Sequence, residues 1–581
     1  MSEQEKINTK NNTKSHTSDT NEMIEKFVEH VRKQFNDSSY PVEYEDFECY
    51  EEMLPLRDGV RLRTIYYFPK TDQRESFPTI VQRSCYPDMD RMMRVNAEEL
   101  AKRGFGFVYQ YCRGVGGSEG VWRPNDNDRN DGQDFMNYLN SLEKVECMGY
   151  QGASYLAFTG WVMADILPDK VKSLYLTVYG TDRHTSAYKD GLFRHDILTA
   201  WAMGNAGREI SADLMESCKY RPHIEVDKAL WGGELNWYRN WITNTSRTDP
   251  YWNEGFWHML SQIPKRMNLP VYIGEGWYDH HLGSAIKSYI NLSDESKAHS
   301  VLEIGPWNHS GMPCITGHTH KNAEGSTTLK TLDWFTKTLK KKELPEPKIR
   351  CYVIGADEWR EWSSYPFKPD HEEYFYLSDK LIADGAYSLE ASPAASGQIS
   401  YLYDPNDPVI SHGSESLFAT QSGIGSLKQP QYGFRDDVIS FVSEPFNEEK
   451  DIIGIIKAKI FVSTDAEDTA FTMKVMEVFP DGSAYNIRNG ITTLAYRNGS
   501  PERISYTPNS IEEITIDSWD IAWRMQKGSR LRIDISSSNF PEYAVHSNYP
   551  GVWSKQDKTK TAKQTIYVGQ DHPSCVILPI E

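Results

Sequence analysis

Between residues 60 and 178, short β-branched and aromatic runs alternate with helical patterns, and few folds accommodate that rhythm. Val60–Phe68 (VRLRTIYYF), Thr79–Arg83 (TIVQR) and Phe105–Tyr111 (FGFVYQY) read as strands, the last two separated by the helical AEELAKRG with glycine at its end. A helix around Asp131–Leu142 follows, then a strand entering MGYQGASYLAFTGW (Met148–Trp161). The helix after that corner is expected to run to about Leu167, where Pro168 stops it, before a strand at Val171–Val178. Strands joined through helices pair in parallel, and a parallel sheet is covered on both faces. The fold class expected is therefore α/β.

The rhythm breaks twice. From about residue 183 to 264 the strand signal fades and Trp, Arg and His recur at helical spacing, as in LFRHDILTAWAMGNAG, which predicts a helical cap inserted into the sheet domain. LPVYIGEGWYD and HSVLEIGPWNH restore the strand pattern, and the helix carrying LDWFTKTLKKK ends in lysines that read as a solvated helix end. From Ile349 onward short alternating runs separated by Pro, Gly, Asn and Asp (IRCYVIG, EEYFYLS, AKIFVSTD, RLRIDISSS) predict an all-β domain, sandwich or jelly roll. The first twenty residues are polar and read as a mobile tail, docked by a helix carrying Met23, Ile24, Phe27, Val28, Val31 and Phe35. The expected division is tail and docking helix 1–40, α/β domain 41–182 and 265–345, cap 183–264, and β domain 346–581.

Composition narrows the function classes. A chain of 581 residues is too long for one core, and a net charge of −19 disfavours phosphate backbones and anionic lipid as partners. With no run of 18 apolar residues and no apolar core near the N-terminus, the expected location is cytoplasmic. The eight cysteines are scattered singly without zinc-type spacing, so reduced thiols, mostly buried, are expected.

A serine at a strand-to-helix corner is where a nucleophile elbow would stand. Gly152 and Ala153 precede Ser154, but the fifth position of G-x-S-x-G is Leu156 instead of glycine, and a helix N-cap is the structural alternative. A rival, Gly116-Gly117-Ser118, follows a glycine-rich loop and closes no strand. A serine hydroxyl needs a histidine base held by a carboxylate. On sheets of this kind they follow the serine in the order acid, then histidine. LPVYIGEGWYDHH supplies Asp279 and VLEIGPWNHSG supplies His309, each just past a strand. Asp279 as an N-cap and His309 as an ordinary histidine are the alternatives; His280 and His281 compete for the base role.

GASYLAFTGW, GWYD and GPWNH, in that order, resemble the signature of the cocaine esterase and α-amino-acid ester hydrolase group (CocE/NonD hydrolases), related to the X-Pro dipeptidyl-peptidases. The likeness continues through RDGVRL, CRGVGGSEG, DEWREW, YLYDPNDPV and SSSNFP. It implies an α/β-hydrolase domain with an inserted helical cap and a C-terminal jelly roll, and catalytic roles for Ser154, Asp279 and His309. It further implies an oxyanion hole from the Tyr86 hydroxyl, in RSCYPDMD, and the Tyr155 amide.

The departures concern substrate. His281 stands where the cocaine-cleaving type has an aromatic, and HHLG lacks the carboxylate cluster of the α-amino-acid ester hydrolases. The pocket candidates are Trp201, Trp277, His281 and Glu275. Glu275 is read either as a lone partner for a substrate ammonium or as a solvated loop residue, and Trp201 either as a pocket wall or as helix packing. The expected function is a serine hydrolase cleaving esters, with amides included, of small acyl substrates. The alternatives are an X-Pro dipeptidyl-peptidase or aminopeptidase-like amidase and, from another class, a non-catalytic carbohydrate-binding protein. No metal or organic cofactor is required. The expected partner is a small-molecule ester or amide, with nucleic acid and membrane excluded and a homo-oligomer left open.

Overall fold

The structure, a computed structural model, describes residues 25–87, 89–325, 327–383, 385–413, 415 and 423–581. The polar tail, with Met23 and Ile24, lies outside the described residues. A helix over residues 25–37 buries Val31 and Phe35. The Arg103 guanidinium holds it by donating to the Phe35 carbonyl at 2.8 Å and lying 4.7 Å from the Phe35 ring.

Ten strands build the first sheet: β1 (Phe47–Pro55), β2 (Arg61–Pro69), β3 (Phe77–Ser84), β4 (Gly106–Tyr111), β5 (Val145–Ala153), β6 (Val171–Thr177), β7 (Val271–Tyr278), β8 (Val301–Asn308), β9 (Lys348–Val353) and β10 (Glu358–Trp362). They lie in the order β1-β2-β4-β3-β5-β6-β7-β8-β9-β10. From β4 across to β9 neighbours run parallel. Antiparallel strands β2 with β1, and β10, flank them. Every residue of β3, β4 and β7 is buried, as a sheet covered on both faces requires. Chain order reverses direction between β3 and β5, and a crevice for ligand opens at the carboxyl ends of strands at such a point.

Helices α1 (Asp90–Lys102), α2 (Asp128–Ser141), α3 (Tyr155–Trp161), α4 (Leu282–Ile290) and α5 (Thr327–Phe335) accompany the sheet. Helix α1 buries Val95, Leu100 and Ala101. Helix α3 is shorter than expected: after Trp161 the chain tightens into turns, with the Met163 and Ala164 amides bonding three residues back to Gly160 and Trp161. Between β6 and β7 run short helices, from Arg183–Ala187 to Gly255–Gln262, including His195–Gly204, which carries Trp201.

IRCYVIG, whose alternation predicts the opening of the β domain, and DEWREW, which the resemblance carries there, pair with the first sheet instead. They form β9 and β10 and extend the first sheet, because β9 finds a parallel partner in β8. The all-β domain is a second sheet of eleven strands between His371 and Ile580. Its 15-residue strand Lys450–Thr464 pairs with Glu512–Met525 on one edge and with Ala562–Val568 and Cys575–Ile580 on the other, so the sheet closes into a barrel. The eight cysteines are unpaired, six of them buried.

Candidate active site

Ser154 links β5 to α3 with φ 57° and ψ −129°. That region is unfavourable for a side chain with a Cβ and is held by the surrounding hydrogen bonds: the Ser154 amide donates to the Thr177 carbonyl at 3.0 Å, and its carbonyl accepts from Ala157 and Phe158. Gly152 makes the corner sterically feasible, since a Cβ there would stand 2.2 Å from the Leu156 carbonyl oxygen. The hydroxyl caps no helix amide. It meets His309 Nε2 at 2.8 Å instead, which sets aside the N-cap alternative.

His309 follows β8, and its Nδ1 lies 2.7 Å from Asp279 Oδ2. Asp279, just past β7, is 1% exposed, and its Oδ1 accepts the His281 amide at 2.6 Å. The N-cap alternative for Asp279 is thus half realised, and the backbone bond fixes the carboxylate that holds the imidazole. Burial pushes the Asp279 carboxyl up, but the neighbouring His309, His280 and the His281 amide together hold it below the ordinary range.

The competing histidines stand aside. His281 shares a hydrogen bond of 2.8 Å between Nδ1 and Ser186 Oγ, with its ring 4.5 Å from Tyr179. His280 has Nδ1 3.5 Å from Asp279 Oδ1 without a hydrogen bond. Burial pushes both well below the usual imidazole range, so both are neutral. Asp279, His280 and His309 bring three metal-ligand atoms within 4.8 Å of one another; an ion there would have to displace the Asp279–His309 hydrogen bond.

Tyr86 follows β3, its amide donating to Ser84 Oγ at 3.2 Å. Burial raises its phenol well above the ordinary value, opposed by hydrogen bonding to Trp201 and Ser154, so it is a protonated donor beside the serine. The Tyr155 amide heads α3, where no intrahelical acceptor exists for it. The Tyr155 hydroxyl donates to Asp128 Oδ2 at 2.8 Å, and its ring stacks on Trp201 at 5.8 Å. Asp128 thus anchors the turn from the start of α2, a role for which the sequence carries no local signal.

Trp201 therefore reaches the site, while two other expected pocket residues do not. Trp277 is fully buried within β7 and donates to the Tyr352 carbonyl of β9 at 2.7 Å, so it packs the sheet. Glu275 is neither in a loop nor solvated: it lies within β7, fully buried, with neither carboxyl oxygen hydrogen-bonded. Burial, and then the Asp279 charge, pushes it well above the carboxylate range. A neutral enclosed carboxyl offers nothing to a substrate ammonium. The rival Ser118 donates to the Tyr111 carbonyl and accepts the Arg63 amide, which ties down a turn.

A serine raised at a strand-to-helix corner of a largely parallel sheet, with histidine and aspartate from later strand ends beside it, defines a hydrolase. Residues 58–311 match the X-Pro dipeptidyl-peptidase (S15 family), and residues 343–577 match the X-Pro dipeptidyl-peptidase C-terminal non-catalytic domain. The chain is 29% identical over 577 residues to a cocaine esterase of Rhodococcus sp. (strain MB1 Bresler), covering 91% of this chain and 97% of that one. Over most of its length the chain is thus similar to a cocaine esterase, and it is an enzyme of the esterase and acyl hydrolase class.

Solved structures share the fold over most of its length. An aminopeptidase from a marine sediment archaeon (Thaumarchaeota archaeon) superposes with TM-score 0.77 at 20% identity, covering 94% of this chain and 99% of its own. An α-amino acid ester hydrolase gives TM-score 0.77 at 20% identity, over 93% and 98%.

Proposed function

We propose that the protein hydrolyses esters of small acyl substrates through a Ser154–His309–Asp279 triad and an acyl-enzyme. The observation that carries this is the pair of contacts at His309, 2.8 Å from Ser154 Oγ and 2.7 Å from Asp279. His309, held by Asp279 with its Nδ1 protonated, takes the Ser154 proton as Oγ attacks the carbonyl carbon. The Tyr86 hydroxyl and the Tyr155 amide hold the resulting oxyanion, and His309 passes the proton to the departing alcohol. Water then repeats the sequence on the acyl-serine. In this reading residues 183–264 form the cap over the site, and the barrel is a jelly roll whose layers are joined by Lys450–Thr464.

The S15 match supports amide cleavage as a second reading. The neutral, buried Glu275 favours the ester, since it leaves no charge at that position for a free amino terminus. Ser154→Ala is expected to abolish turnover of p-nitrophenyl acetate and labelling by a fluorophosphonate; labelling that persists in this variant would refute the nucleophile. A higher kcat/KM for an X-Pro p-nitroanilide than for p-nitrophenyl acetate would replace the ester reading by the peptidase one.

A further inference from the structure

A cavity of about 390 Å³ lies on the face of the first sheet covered by α1 and α5, and reaches the carboxyl edge at Tyr86, Ala153 and His309. From this cavity we infer a pocket for a flexible aliphatic acyl chain, a substrate class that rests on the esterase reading above. Its apolar wall is formed by Phe27 of the N-terminal helix, Met89, Met93, Leu100, Leu156 and Val178. Met93 and Leu100 belong to α1, and Leu156 stands two residues past the nucleophile.

Several of the polar side chains around it are already engaged. Gln151 donates to Gln82 at 2.9 Å and Asn96 to the Met92 carbonyl at 3.2 Å, Lys330 is paired with Glu303, and Thr331 bonds Tyr175. An entering group meets mainly hydrocarbon and thioether surface, and methionines adapt to a chain of variable shape. An apolar cleft gains by being filled, since an entering chain removes its hydrocarbon surface from water. The acyl limb is the one that fits. Its carbonyl oxygen faces Tyr86 while its carbon is bonded to Ser154, and Tyr86, Ala153 and His309, which flank Ser154, are among the lining residues.

The test is a series of straight-chain p-nitrophenyl esters, acetate to decanoate, with the full-length enzyme, Met93→Trp and Phe27→Asp. One variant fills the pocket from α1; the other puts a charge in its wall from a partly exposed position. Expected for the unmodified enzyme is a rise in kcat/KM approaching roughly fourfold per added methylene until the cavity is full. Both variants are expected to lower the octanoate-to-acetate ratio at least about tenfold, a ratio that general damage to the enzyme would not move. A flat profile in the unmodified enzyme overturns the pocket while leaving the esterase reading intact. So does a steep profile unchanged in both variants. Absence of turnover on every ester overturns both.

Discussion

Asp279→Asn exchanges one carboxylate oxygen for an NH2 and leaves the shape of the site unchanged, so its effect can be worked from two contacts. Asp279 Oδ1 accepts the His281 amide at 2.6 Å, and Oδ2 faces His309 Nδ1 at 2.7 Å. A backbone N–H can only donate, so the asparagine keeps its single oxygen on His281 and turns its NH2 toward His309. Nδ1 must then accept, the imidazole proton moves to Nε2, and the atom 2.8 Å from Ser154 Oγ becomes a donor where catalysis needs a base. The opposite amide orientation sets two donors face to face in a site 1% exposed, at a cost of about 1–3 kcal/mol. The productive tautomer therefore exists only in that disfavoured orientation, and there the imidazolium forms without the carboxylate charge beside it. The two losses together are worth roughly 10⁴ in kcat, or about 5.4 kcal/mol of barrier. Steady-state turnover of p-nitrophenyl acetate, with circular dichroism to verify folding, is the assay; a folded variant within tenfold of the parent would refute the tautomer argument and with it Asp279 as the orienting acid.

Tyr86→Phe removes one oxyanion donor and is expected to lower kcat by roughly 10² to 10³ with KM little changed; a loss below fivefold would exclude the hydroxyl from the oxyanion hole. Gly152→Ala drives a Cβ to 2.2 Å from the Leu156 carbonyl oxygen and cannot be absorbed without moving α3. Its fluorophosphonate labelling should fall by at least about a hundredfold, or the protein should fail to fold, whereas Gly204→Ala, with nothing within 4 Å, should label normally. Glu275 is held protonated in the fold by burial and by the Asp279 charge, while in the unfolded chain it ionises in the ordinary carboxylate range. The unfolded state therefore binds fewer protons above that range, so this residue's contribution to stability falls as pH rises toward the folded pKa. Glu275→Gln removes that loss, and its Tm relative to the parent should improve between pH 5 and pH 8; a relative Tm that declines over that interval would contradict a neutral Glu275.

The α/β rhythm and the three residues around His309 were legible because each rests on a local signal. Buried strands of a parallel sheet read as short apolar runs, and Ser154, Asp279 and His309 each stand at the end of one. What failed was non-local. Glu275, between the glycines of GEG, reads as an ammonium partner or a solvated loop residue and Trp277 as a pocket residue, because nothing local shows what encloses them. In the fold these glycines serve close packing: a Cβ at Gly274 would stand 2.9 Å from Thr177 Cγ2, and one at Gly276 would stand 2.2 Å from the Trp307 carbonyl oxygen. Strand β7 therefore continues through Tyr278 and encloses both side chains. The placement of β9 and β10 was illegible for the same reason, since alternation identifies a strand and is silent about its partner.

The leucine at the fifth position of the elbow ties these readings together. In G-x-S-x-G the glycines allow a strand and a helix to cross closely, and here the close approach is made by Gly152 against the backbone of Leu156. The crossing thus uses the missing side chain at 152 and the main chain at 156, which leaves the side chain of residue 156 free to point elsewhere. It lines the cavity on the α1 and α5 face, 7% exposed and two residues from the nucleophile. The departure that weakened the motif in the sequence is then what a wall for a hydrocarbon chain requires: a glycine there would keep the elbow but remove apolar surface where an acyl group leaves Ser154.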